Sequence, residues 1–203
     1  MLRIISISLI LFCLCIHGCG PSVRNIDSQG TNIICFGNSI TYGSGVEDGQ
    51  DYPSRLQELT DRDVINAGIP GDTTEGGLKR IDEDVLDNDP YLVIIELGAN
   101  DYLQGLPKDK AFNNLKKMIE RIQDEGAMTA LCDVSGGSSF LEAYSIYHED
   151  MKKLAGETGS IFMPHVMKGI IQKPSLKSDN IHPNAEGYEI IAERVYKAIK
   201  PHL

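Results

Sequence analysis

Between residues 32 and 163 one pattern recurs five times: a run of four to six nearly continuous apolar residues, then a polar or amphipathic stretch. The runs occupy residues 32–36, 63–66, 91–96, 128–133 and 160–163. Unbroken apolar character, in place of strict alternation, marks strands covered on both faces, as in a parallel sheet. Parallel neighbours need long crossovers, and the stretches between the runs carry helical spacing. Leu78, Ile81 and Val85 form one stripe. Phe112, Leu115, Ile119 and Ile122 form a second; Tyr188, Ile191, Ala192, Val195, Tyr196 and Ile199 form a third. Asp72 with Glu75 reads as a capping box, and Asn184 after Pro183 as a helix N-cap. The pattern predicts an α/β domain over residues 31–203, a three-layer α/β/α sandwich on a five-stranded parallel sheet. A 41% hydrophobic share with 24% charged residues suits such a core.

The 19 Lys and Arg against 29 Asp and Glu leave a net charge of −10, with the basic residues scattered. No basic stripe is available to displace counterions, so a nucleic-acid partner is excluded. Residues 1–18 read as a signal peptide: Met1-Leu2-Arg3, then an apolar run at 4–16 that is shorter than the about 20 residues a membrane span needs. Ile16-His17-Gly18-Cys19 resembles the bacterial lipobox, with His17 an unusual occupant. That resemblance implies export and a lipidated Cys19 holding the chain at a membrane surface, on the periplasmic or outer side. Plain cleavage and an uncleaved anchor are the alternatives. Residues 19–30 then serve as a polar tether. Cys13, Cys15 and Cys19 belong to the leader and its junction, which leaves Cys35 and Cys132 in two strand runs. The topology puts another strand between them, about 10 Å of separation, so they are expected as buried free thiols.

In a sheet of this kind ligands sit beyond the carboxyl ends of the strands. The first run leads into Gly37-Asn38-Ser39-Ile40-Thr41, the second into Asn66-Ala67-Gly68-Ile69-Pro70-Gly71-Asp72, the third into Gly98-Ala99-Asn100-Asp101. The segment before the last helix reads Ser178-Asp179-Asn180-Ile181-His182-Pro183-Asn184. These four blocks, in this order, resemble those of the SGNH hydrolases, also called GDSL esterases/lipases, and most of all their multifunctional thioesterase, lysophospholipase and arylesterase branch. The resemblance implies a flavodoxin-like SGNH-hydrolase fold and a serine esterase. Ser39 is the expected nucleophile, His182 its base and Asp179 the partner of the base. The oxyanion donors implied are the N–H groups of Ser39 and Gly71 and the side-chain amide of Asn100. The family has Asp between the Gly and Ser of the first block; Asn38 stands there in this chain.

The remaining features have plainer readings. His148, His165 and His202 are ordinary histidines, with His165 a substitute base if His182 fails. Asp82, Glu83, Asp84, Asp87 and Asp89 read as a solvated face, and Gly136-Gly137-Ser138-Ser139 as a rim loop. No His/Cys cluster has zinc spacing, so no metal or cofactor is expected in catalysis. Ile69, Leu103, Leu106, Phe140, Met163 and Met167 are the expected lining of an acyl groove. The substrate expected is a small acyl ester or thioester, met by a monomer. A sugar O-deacetylase, a non-catalytic lipoprotein binding glycan or lipid, and a flavodoxin-like phosphate or flavin binder are the alternatives.

Overall fold

The computed structural model describes residues 23–135 and 147–203. Five strands, β1 (Asn32–Gly37), β2 (Val64–Gly68), β3 (Pro90–Glu96), β4 (Met128–Cys132) and β5 (Ile161–Met163), pair in the order β2-β1-β3-β4-β5, and every pairing is parallel. Each coincides within two residues with a predicted apolar run. β3 lies at the centre and all seven of its residues are buried, whereas the edge strand β2 is only partly covered. That gradient is why the third run is the most apolar of the five.

The helices among the described residues are α1 (Ser39–Tyr42), α2 (Tyr52–Gln57), α3 (Thr74–Asp84), α4 (Ala99–Leu103), α5 (Lys108–Asp124), α6 (His148–Thr158) and α7 (Ala185–Ile199). α2 packs against α7, while α3 packs against α5 and α5 against α6, giving a helical layer on each face of the sheet. The predicted stripes face inward: Ile81, Val85, Leu115, Ile119, Ile122, Tyr188, Ile191, Val195 and Ile199 are fully buried. Each such apolar side chain contributes about 1.5–3 kcal/mol on leaving water.

Three expectations change. The N-cap of α3 is Thr73, whose side chain accepts from Gly76 N–H; Asp72 turns instead to Arg80, and Glu75 pairs with Lys79 and Lys110 on the surface. From Val23 on, the expected tether is docked on the domain. Arg24 N–H donates to Gly159 O at 2.9 Å, and the Asn25 amide donates to the carbonyls of Gln123 and Ala127 at 2.8 and 3.0 Å. Of the acidic run, Asp84 pairs with Arg80 and Asp82 with Arg121, so the face is partly neutralised. Cys35 and Cys132 are buried and form no disulfide; burial pushes the Cys35 thiol up to about 12 and the Cys132 thiol well above its ordinary value. The leader, Cys19, Phe140 and the glycine-serine loop at 136–139 lie outside the described residues.

Candidate active site

Strand order reverses between β1 and β3, and the crevice of a doubly wound sheet opens at that switch. Ser39 follows β1 and Asn100 follows β3, so the two blocks flank it. Ser39 is the first residue of α1, where N–H groups lie outside the intrahelical ladder. Gly37 just before it has no room for a side chain: a Cβ would stand 2.1 Å from Thr41 Oγ1.

The segment entering α7 folds back over this turn. His182 Nε2 lies 3.0 Å from Ser39 Oγ, across 143 residues of sequence, and His182 Nδ1 lies 2.7 Å from Asp179 Oδ2. Asp179 uses its other oxygen to accept the N–H groups of Ile181 and His182, both at 2.8 Å, which fixes the loop. Partial burial raises the Asp179 carboxyl, but the hydrogen bond from the His182 ring and the two N–H groups outweigh it and hold it at about 2. A carboxylate at Nδ1 keeps that nitrogen protonated and leaves Nε2 to accept the serine hydroxyl. The arrangement can therefore remove a proton from Ser39 as it attacks a carbonyl carbon.

Across the crevice, Asp72 N–H donates to Ile69 O at 3.1 Å, closing a turn with Pro70 second and Gly71 third at φ +78°. A glycine suits that left-handed position, and the space around its Cα is open. One N–H of the Asn100 amide donates to Asp72 O at 2.9 Å, which sets the amide beside this turn. Asp101 is buried and accepts Thr74 N–H at 2.9 Å and Thr74 Oγ at 2.6 Å, tying the Asn100 block to the start of α3. Arg80 braces the same region, donating to Asp72, to Gly37 O and to Ala67 O. Sequence reasoning passed over Asp101 and Arg80. The i,i+4 pair of Arg80 with Asp84 was the only signal available for either.

Asn38, the departure from the family pattern, is buried and explained by a neighbour the sequence did not single out. Its Oδ1 accepts Ile40 N–H at 3.1 Å, capping α1, and its amide donates to Glu96 Oε1 at 2.9 Å. Glu96 also accepts Asn38 N–H at 3.2 Å and Thr41 Oγ at 3.1 Å. An Asp at position 38 would set a second carboxyl against this one, whereas Asn supplies a donor. Burial raises the Glu96 carboxyl from 4.5 to about 7, against those hydrogen bonds, which lower it. The folded chain thus keeps a proton that the unfolded chain has lost, so stability falls as pH rises from about 4.5 to 7. The gap is worth on the order of 3 kcal/mol. Glu96→Gln should flatten the fall in thermal midpoint between about pH 5 and 8; parallel curves for variant and wild type would show that Glu96 does not cause it.

Of the expected groove residues, Ile69 and Leu103 are exposed at 46% and 47% and Leu106 is half-buried. Met163 and Met167 are not available: both are buried, at 1% and 0%, because β5 and the turn after it direct them into the core. Two other apolar side chains take their place on the rim. Tyr42 ends α1 at 56% exposure and Ile181, at 38%, sits between Asp179 and His182. His165 bonds to Ser135, not to Ser39.

The profile of the GDSL-like lipase/acylhydrolase family matches residues 35–190, which take in all four blocks. The chain belongs to this family. An arylesterase of Vibrio mimicus is 33% identical over 210 residues, covering 100% of each chain. Esterase TesA of Pseudomonas aeruginosa is 30% identical over 84% of this chain and 89% of its own. Among solved structures, TesA superposes with a TM-score of 0.75 at 29% identity, covering 85% of this chain and 99% of its own. The psychrotrophic esterase EstA of Pseudoalteromonas, inhibited by monoethylphosphonate, superposes with a TM-score of 0.75 at 30% identity, covering 84% and 97%. This GDSL protein is a carboxylic ester hydrolase with the α/β fold of those esterases.

Proposed function

We propose that this GDSL hydrolase cleaves esters or thioesters of single acyl chains through an acyl-enzyme on Ser39. Ser39 Oγ attacks the acyl carbon while His182 Nε2 takes its proton; the same imidazole returns that proton to the departing alkoxide or thiolate. Water, deprotonated by His182, then releases the acid and restores Ser39. Negative charge on the carbonyl oxygen meets the N–H groups of Ser39 and Gly71 and the second N–H of the Asn100 amide. The observation that carries this reading is the unbroken line from Asp179 through His182 to Ser39, at 2.7 and 3.0 Å.

The acyl preference is supported by the rim. Tyr42, Ile69, Leu103 and Ile181, four of the exposed large apolar side chains, all stand in the segments that carry the reacting groups. Exposed apolar surface gathered at a site favours an apolar ligand over a sugar. With nitrophenyl esters, kcat/KM should rise from acetyl to medium chains, by up to about 4-fold for each CH₂ buried. Acetate released from acetylated glycans in preference to any longer acyl chain would make the protein a sugar deacetylase instead.

We also infer that the protein is exported and held at a membrane surface by lipid on Cys19. Among the described residues no helix is long and apolar enough to cross a membrane. A lipoprotein of Bacillus subtilis, YqeF, is 35% identical over 57% of this chain and 55% of its own. A fatty-acid probe should label the wild type and not Cys19→Ser; an unlabelled wild type removes the anchor.

A further inference from the structure

The ends of β4 and β5 carry a second polar cluster that ester hydrolysis does not use. Asp133, directly after β4, is fully buried, and three donors converge on its Oδ2. They are His148 Nδ1 at 2.6 Å, Ser135 Oγ at 2.9 Å and His165 N–H at 3.2 Å; His165 Nδ1 lies 3.3 Å from the same oxygen and bonds to Ser135 Oγ at 2.8 Å. Ser135 N–H holds the other oxygen at 2.8 Å, so the carboxylate cannot turn away. His165 reaches it by adopting φ +50°, a conformation His tolerates better than most side chains. The two rings lie stacked, with centroids 4.1 Å apart and planes within 8°.

A buried carboxylate calls for a positive partner, and two imidazoles facing one carboxylate are the donor set of a borderline divalent ion. The ligating atoms of Asp133, His148 and His165 all lie within 4.8 Å of one another. A tetrahedral zinc ion with bonds of about 2.0–2.1 Å needs donors about 3.3 Å apart. A single carboxylate with two nitrogens does not suit calcium or magnesium, which take oxygen ligands.

We propose that Asp133, His148 and His165 form a binding site for a zinc-class divalent ion, with the Ser135 N–H holding the other carboxylate oxygen in place. The ion lies in the plane of each imidazole it binds. Loading therefore opens the 2.6 Å hydrogen bond of His148 to Asp133 and the 2.8 Å bond of His165 to Ser135, and cants one ring out of the stack. His165, with 36% of its side chain exposed against 18% for His148, is the ring with room to turn, and its open side is the entry path. The fourth position falls to water. Because β3 separates β4 from β1, the site stands about 10 Å along the rim from the Ser39 block. Its role is structural: it ties the start of α6 to the ends of β4 and β5.

The test uses purified, untagged protein stripped with a chelator. Titration with Co²⁺, a coloured substitute for zinc, should give one saturable equivalent with the visible absorption of a four-coordinate ion. Zn²⁺ should compete for it and raise the thermal midpoint. His148→Ala and His165→Gln should each weaken binding by more than about 10-fold. His182→Ala should bind as wild type does. A wild type that takes up no saturable Co²⁺ overturns the site, whatever the variants do. Binding unchanged in His148→Ala/His165→Gln overturns it equally, since the ion then sits elsewhere.

Discussion

Ser39→Ala should lower kcat for a nitrophenyl ester by about 10⁴–10⁶ and abolish labelling by a fluorophosphonate. The acyl-enzyme requires an oxygen at this position, and among the described residues Ser39 carries the only hydroxyl bonded to the His182 ring. What activity remains comes from the oxyanion donors and from binding, which are left intact. The fold should survive, because the change deletes one half-buried oxygen at a turn whose cap is Asn38; the stability change should stay within roughly 1 kcal/mol. Peptide mapping of the labelled wild type gives the complementary result, a single adduct on Ser39. Full activity in the alanine variant would move the nucleophile elsewhere.

His182→Ala should cost nearly as much, and the double variant Ser39→Ala/His182→Ala little more than either, because nucleophile and base act as one unit. Losses that multiply would mean that the two do separate work. Only a neutral imidazole can take the Ser39 proton, because an imidazolium has no lone pair left to accept it. The charge on Asp179 is not limiting. Its carboxyl is held at about 2, so it stays ionised through the working range, and the stability it adds is lost only as pH falls from about 3.8 towards 2. If His182→Ala leaves the rate unchanged, His165 is not the obvious heir, since its Nδ1 is engaged by Ser135 at 2.8 Å.

The strands were legible because a strand buried on both faces must be apolar throughout, as β3 is from Tyr91 to Ile95. Ser39, Asn100 and His182 were singled out because the blocks that hold them resemble those of the family, each just past such a run or just before a capped helix. Met163 and Met167 were misassigned for a definite reason: the sequence puts them in rim segments, and only the pleat of β5 and the turn after it decide that they point inward. Glu96, Asp101 and Arg80 carry no local mark of their work. Each bonds across 27 to 58 residues of sequence or to backbone carbonyls, and no periodicity encodes such partners.

The amino-acid sequence by itself determined the layered α/β architecture and the order of the polar blocks, because both follow from local spacing: apolar runs of strand length, stripes of helical period and turn residues at the strand ends. The tertiary structure alone decided which polar groups meet. The 3.0 Å contact of Ser39 with His182, the pairing of Asn38 with Glu96 and the gathering of Asp133, His148 and His165 all depend on how neighbouring strands pair and how loops return over the rim. Directional contacts of about 3 Å between distant segments arise only when packing has fixed both partners.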